Sequence, residues 1–183
     1  MDKKLTICPS PYLRTTSFSK GVAQDLFAVL DRLGINHMEL SNTNDIWCRD
    51  YMPVSLFDDG YYATYEYKPD YLWDKKCNRK YITNQIDACK DLNIKIPLRM
   101  GFIFDGGNYV RLNGNRNSTV FMTDKILMEN SYWPLHELIQ RLHLSLAADI
   151  VLLPWDMDEP YGHTDGMVAP LPDGRLLLNN YCQ

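Results

Sequence analysis

The chain has 183 residues, 45% hydrophobic and 23% charged, a balance that suits a globular domain and excludes general disorder. No run approaches the ~18 apolar residues of a membrane helix, and the first twenty residues lack the apolar stretch of a secretory leader, so a cytoplasmic protein without a membrane partner is expected. The net charge of −4, with no long basic run, argues against a nucleic-acid partner.

In chain order, the first predicted element is an amphipathic helix. Ser19 is its N-cap; Val22, Leu26, Val29, Leu30 and Leu33 form its apolar face; Gly34 is its left-handed stop. A short strand is predicted at 37–40, followed by the polar motif NDIWCRD, which ends at Asp50. A further strand then runs to an Asp59-Gly60 turn and returns as YYATYEY with alternating character. Next, Ile82, Ile86 and Cys89 make a helical stripe that stops at Asn93, before the strand IKIPL, the motif FDGGN with Asp105, an Asn113-Gly114 turn and the strand STVFMT. Last, Leu135, Leu138, Ile139 and Leu142 share a helical face with Pro134 in the first turn. The buried strand DIVLLP, the motif GHTDG with Asp165, an Asp173-Gly174 turn and RLLLNN complete the chain.

These three passes read as a repeat. The acidic residue precedes the turn's Asp or Asn by nine, eight and eight residues, and the turn glycines fall at Gly60, Gly114 and Gly174. A period of about 55–60 residues, each with a helix and several strands, suggests stacked or radially arranged units; a generic α/β domain with three chance hairpins is the alternative.

The five cysteines (Cys8, Cys48, Cys77, Cys89, Cys182) include no CxxC pair, and the four histidines no HExxH pair. Neither a disulfide framework nor a metal is expected, and no cofactor. Cys77 and Cys89 read as helix or core thiols, and His136 and His143 as surface or edge positions of the last helix.

In a radial repeat, equivalent positions converge near the axis, which would bring Asp50, Asp105 and Asp165 together with His163. Like charges raise one another's pKa unless a cation sits among them. With no metal-ligand spacing, the natural guest is an organic cation. A guanidinium fits well, being planar, permanently charged and able to meet carboxylates bidentately. Gly106, Gly107, Gly162 and Gly166 would permit close approach, Trp47 and Trp155 would wall the pocket, and His163 and Asp165, two apart, would face one side of a strand. Taken singly, DG sequences are mostly turns, and Arg49–Asp50 reads equally as a structural ion pair.

NDIWCRDYMPV, FDGGNYV, TVFMTDKILMEN, YGHTDGMV and PDGRLLLNN resemble the agmatine deiminase and bacterial peptidylarginine deiminase family, from about residue 44 to 180. The resemblance implies a pentein fold, a five-bladed α/β propeller, of which about three units are present as a single incomplete domain, at 1–68, 69–128 and 129–183. It implies that Asp50 and Asp165 grip the substrate guanidinium. His163 would be the general acid/base and Asp105, where relatives often carry Glu, the carboxylate that orients it. Trp47 would line the pocket and Arg49 would brace the motif. The implied substrates are agmatine or peptidyl arginine, converted to a ureido product and ammonia through attack by a cysteine thiolate. The family places that cysteine near the C-terminus after a glycine-rich approach. No such approach precedes Cys182, and Cys48 lies inside the guanidine motif, so a chain that is the N-terminal part of the enzyme and inactive alone is expected.

A non-catalytic guanidinium-binding module is the alternative from another class, and amidinotransfer or dimethylarginine hydrolysis are alternatives within the superfamily. Three of five units would leave open edges, which predicts a homo-oligomer or aggregate.

Overall fold

The computed structural model describes residues 6–56, 61–114 and 117–179. Among the described residues it is a mixed α/β chain whose strands pair into four small sheets. Strand β1 (Thr6–Ile7) is followed by the one-turn helix α1 (Tyr12–Thr15), the long helix α2 (Lys20–Arg32) and β2 (Asn36–His37), which lies parallel to β1. The predicted strand at 37–40 is thus displaced towards the helix.

Helix α2 ends as its sequence dictates. Gly34 takes φ +64°, Ile35 N–H donates to Leu30 O and Gly34 N–H to Asp31 O, the paired bonds of a Schellman stop. Its buried face differs from the one predicted: Ala23, Phe27 and Leu30 are buried, while Val22 and Leu33 are 66% and 62% exposed. Phe27 fills this small core with Ile7, Leu13, Leu26 and Ile35 packed against it, so the largest ring set the rotation of the helix. Ser19 caps the helix by position only; its hydroxyl donates to Leu13 O.

The next two sheets share one topology. After the one-turn helix α3 (Cys48–Tyr51), β3 (Val54–Ser55) runs antiparallel to β4 (Tyr61–Glu66). The Asp59-Gly60 turn between them lies outside the described residues. Helices α4 (Asp70–Trp73) and α5 (Gln85–Cys89) then carry the chain over to β5 (Lys95–Ile103), which is parallel to β4. In the same way β6 (Val110–Asn113) is antiparallel to β7 (Ser118–Thr123), and α6 (Lys125–Glu129) and α7 (Leu135–Leu146) lead to β8 (Asp149–Leu153), parallel to β7. Strands β9 (Val168–Pro170) and β10 (Leu176–Leu178) form an antiparallel hairpin. The pairing gives four separate sheets and does not itself show a propeller.

Several local expectations are corrected. Strand β4 does not alternate: it is central in its sheet, and Ala63, Thr64 and Tyr65 are all buried. Strand β8 is an edge strand and half-exposed, not buried. Helix α5 starts at an Asn84 cap, whose side chain accepts from Ile86 N and Asp87 N; it leaves Ile82 outside and ends four residues before Asn93. Asn113 is the last residue of β6 and pairs with Ser118, so it is a strand end and not the first residue of a tight turn. Pro134 is the N-cap of α7, just outside the first turn, and the buried stripe is Leu138, Leu142 and Leu146, with Leu135 exposed. Cys77 is exposed and Cys89 buried, while Cys182 lies outside the described residues. The main core joins Tyr51, Phe102, Phe104, Val120, Met122 and Ile126 to the α7 leucines.

Candidate functional site

Each repeated acid stands on the connector between one sheet and the next. Asp50 is in α3, between β2 and β3; Asp105 follows β5 and precedes β6; Asp165 follows β8 and precedes β9. Four bonds fix these connectors. Tyr65 Oη donates to the Asp50 carbonyl at 2.6 Å and holds α3 down. Asp105 caps the 3-10 turn Gly106–Asn108 by accepting from Gly107 N–H at 2.9 Å. Asn108 Oδ1 accepts from Thr164 Oγ1 at 2.7 Å and from Thr123 N–H at 2.6 Å, stitching the Asp105 turn to the Asp165 turn.

The connectors place Asp50, His163 and Asp165 on one cavity of about 630 Å³, together with Trp47, Arg49, Tyr71 and Tyr161. Asp105 lies beneath, 3% exposed. Its Oδ2 accepts from Tyr71 Oη at 2.7 Å and stands 3.3 Å from His163 Nε2. The shorter Asp side chain therefore still reaches the imidazole. The contact is too poorly aligned to count as a formed hydrogen bond, yet it is short, and Asp105 acts on the imidazole through this contact and through its charge. Burial pulls the His163 pKa down, but Asp105, Asp50 and Asp165 together outweigh it and raise it to about 9. Burial, reinforced by Asp105 and Asp165 against the pull of His163, pushes Asp50 up to about 7. Asp50, Asp105 and His163 carry donor atoms within 4.8 Å of one another, compact enough to hold a cation.

The glycines divide. A Cβ at Gly106 would lie 2.0 Å from the Arg49 carbonyl, and one at Gly107 2.4 Å from His163 Nδ1, so both mark close approaches. Gly162 has φ +68° and its Cβ would meet Lys125, whereas Gly166 faces open space and has no such role. His163 caps the 3-10 turn Thr164–Gly166 rather than sitting in a strand; the turn, not a strand face, brings it and Asp165 to the cavity. Trp47 is exposed at the cavity wall. Trp155 is not part of it: its indole N–H donates to Glu159 O and its ring faces Lys125. Arg49 pairs with Asp165, not Asp50, and donates from Nη2 to the Tyr109 carbonyl at 2.6 Å.

Sequence reasoning missed Tyr71, Tyr161 and Lys125. Tyr71 and Lys125 sit in or at one-turn helices, which carry no periodic signal. Among the described cysteines, none lines the cavity, and burial raises the Cys48 thiol pKa.

The family model for Porphyromonas-type peptidyl-arginine deiminase matches residues 14–183. The chain is similar in structure to a Porphyromonas gingivalis protein named an arginine deiminase, with 17% identity and a TM-score of 0.62 over 91% of this chain and 60% of that one. It is similar to C. jejuni agmatine deiminase at 16% identity and a TM-score of 0.60, covering 91% of this chain and 58% of that one. A Cys-to-Ser variant of that enzyme with substrate bound matches at 14% identity and a TM-score of 0.58, over 91% and 59% of the two chains. At these identities the likeness is one of fold, and the chain spans little more than half the length of these structures. No curated protein matches the chain in sequence.

Proposed function

The chain belongs to the Porphyromonas-type peptidyl-arginine deiminase family, and from that premise we propose that its cavity binds a guanidinium and is the substrate-holding part of a guanidine deiminase. Asp50 and Asp165 are the acceptors for the cation and Trp47 walls the cavity. His163 is the general acid/base, and Asp105 orients and charges it. The parent reaction hydrolyses the guanidinium of agmatine or peptidyl arginine to a ureido product and ammonia. The fold is a pentein propeller in this reading, with units at about 1–68, 69–128 and 129–183 and acids converging from the connectors.

The observation that carries the reading is the convergence of Asp50, His163 and Asp165 on one cavity with Asp105 buried behind the imidazole. Support also comes from electrostatics. Asp50, with a pKa near 7, gains a counter-charge when a guanidinium enters and releases its proton to do so. Affinity should therefore rise with pH through 7.

The chain binds without turnover in this reading, because no described thiol lines the cavity. That same observation favours the second reading, a guanidinium-binding module with no reaction of its own. Calorimetry with agmatine and with an arginine-containing peptide tests the shared part. Binding that weakens at least about tenfold in Asp50→Asn, the loss of one charge-assisted contact, is the expected result; absent binding of either ligand refutes it. Ammonia release by the 183-residue chain would refute the assignment of no turnover.

A further inference from the structure

Lys125 opens α6 and is only 2% exposed. A buried ammonium is costly unless its donors are matched. Here three donors meet three acceptors: Asp70 Oδ1 at 2.8 Å, the Pro160 carbonyl at 2.8 Å and the Tyr161 carbonyl at 3.2 Å. Glu129 Oε1 lies 3.9 Å away, and the Tyr71 and Trp155 rings stand 5.2 Å from Nζ on its flanks. The lysine stem lies against Gly162, where a Cβ would come within 2.5 Å of Cδ.

Both halves of the His163–Asp105 pair hang on this ammonium. On one side it pins the carbonyls two and three residues before His163 and packs on the residue immediately before it. On the other it holds Asp70, the first residue of α4, and the next residue, Tyr71, donates to Asp105 Oδ2 at 2.7 Å. We propose that Lys125 is a positioning residue, whose ammonium locks the loop carrying His163 to α4 and so sets the separation of His163 from Asp105. The functional meaning rests on the guanidine-site reading, but the geometry does not.

The test exploits opposite signs. His163 is faced by Asp50, Asp105 and Asp165 and by the Tyr71 and Tyr161 rings; Lys125 adds a positive charge nearby. Deleting that charge alone would raise the His163 pKa. Releasing His163 from its carboxylates would lower it. The histidine rings of the full chain are titrated by NMR, with His163 assigned from its loss in His163→Gln. In Lys125→Met the His163 pKa is expected to fall by about one pH unit or more. An unchanged or raised value overturns the proposal, even where the melting temperature drops. Lys125→Gln keeps an NH2 group with two N–H donors for the carbonyls, serves as the second variant should Met fail to fold, and is expected to give a smaller shift of the same sign; no shift or a rise there overturns the proposal equally. Failure of the wild-type chain to bind agmatine would count against the guanidine reading and leave the titration result standing.

Discussion

Asp105→Asn removes one charge with almost no change of shape. The Asn carbonyl can still accept from Gly107 N–H, so the turn is retained. Asp105 and His163 are 3.3 Å apart, and at an effective dielectric of ~20 their interaction is about 5 kcal/mol. The rise of His163 from 6.5 to about 9 corresponds to about 3 kcal/mol at ~1.4 kcal/mol per pKa unit, reached against the opposing effect of burial. Asp105 is thus large enough to be the main source of the rise, with Asp50 and Asp165 adding to it. With Asp50 and Asp165 still in place, the His163 pKa should fall by about two pH units in Asp105→Asn, read by ring NMR titration. The same variant changes the pH dependence of stability. A group whose folded pKa is raised contributes stability that is complete below the unfolded value and is lost as pH rises through the folded one. The wild type should therefore lose urea resistance between pH 6.5 and about 9, and Asp105→Asn should lose less over that window. A His163 pKa that moves by less than about half a unit would refute the reasoning.

Gly107→Ala drives a methyl into the His163 ring and should cost about 1–3 kcal/mol in urea denaturation as well as displacing the ring; a wild-type midpoint with an unmoved His163 signal would contradict the close approach. Arg49→Gln frees Asp165 from its partner and should tighten agmatine binding, by no more than about fivefold for a pair this exposed; weaker binding by calorimetry would mean that Arg49 helps hold the ligand. Leu142→Ala opens the core under α7 and should cost about 2–5 kcal/mol, read as a shift of the urea midpoint. Leu177 and Leu178 are 60% and 66% exposed on β10, so the chain should self-associate in sedimentation velocity at micromolar concentration, less so in Leu178→Lys; a monomer throughout would count against the expected oligomer.

The positions that recur in the sequence were the legible ones. Asp50, Asp105 and Asp165 could be picked out because each precedes a turn residue by eight or nine positions, and the fold puts each on a connector between sheets; His163 was legible only through its place two residues before Asp165. Gly34 was legible because a helix stop has one cheap residue. What stayed hidden has physical reasons. The orientation of α2 depends on Phe27 finding a core, which a face drawn through Val22 and Leu33 does not reveal. Tyr71 lies in a helix too short to show a period. Lys125 is buried against the ordinary preference of its side chain, and Asp70, with the carbonyls of Pro160 and Tyr161 thirty-five and thirty-six residues on, makes that burial tolerable. Arg49 sits beside Asp50 in the chain, but α3 turns its guanidinium towards Asp165.

The placement of the acids on connectors has a consequence for how the molecule opens. Asp50, Asp105 and Asp165 come from three joints separated by whole sheets, so their proximity exists only when every intervening unit is in place. Partial unfolding of any one unit abolishes the cluster, and a bound cation is then lost with it. A ligand of this cavity therefore works against every sub-global opening that separates the joints. Its signature in hydrogen exchange should be slower exchange at all three connectors together, out of proportion to the few atoms it touches.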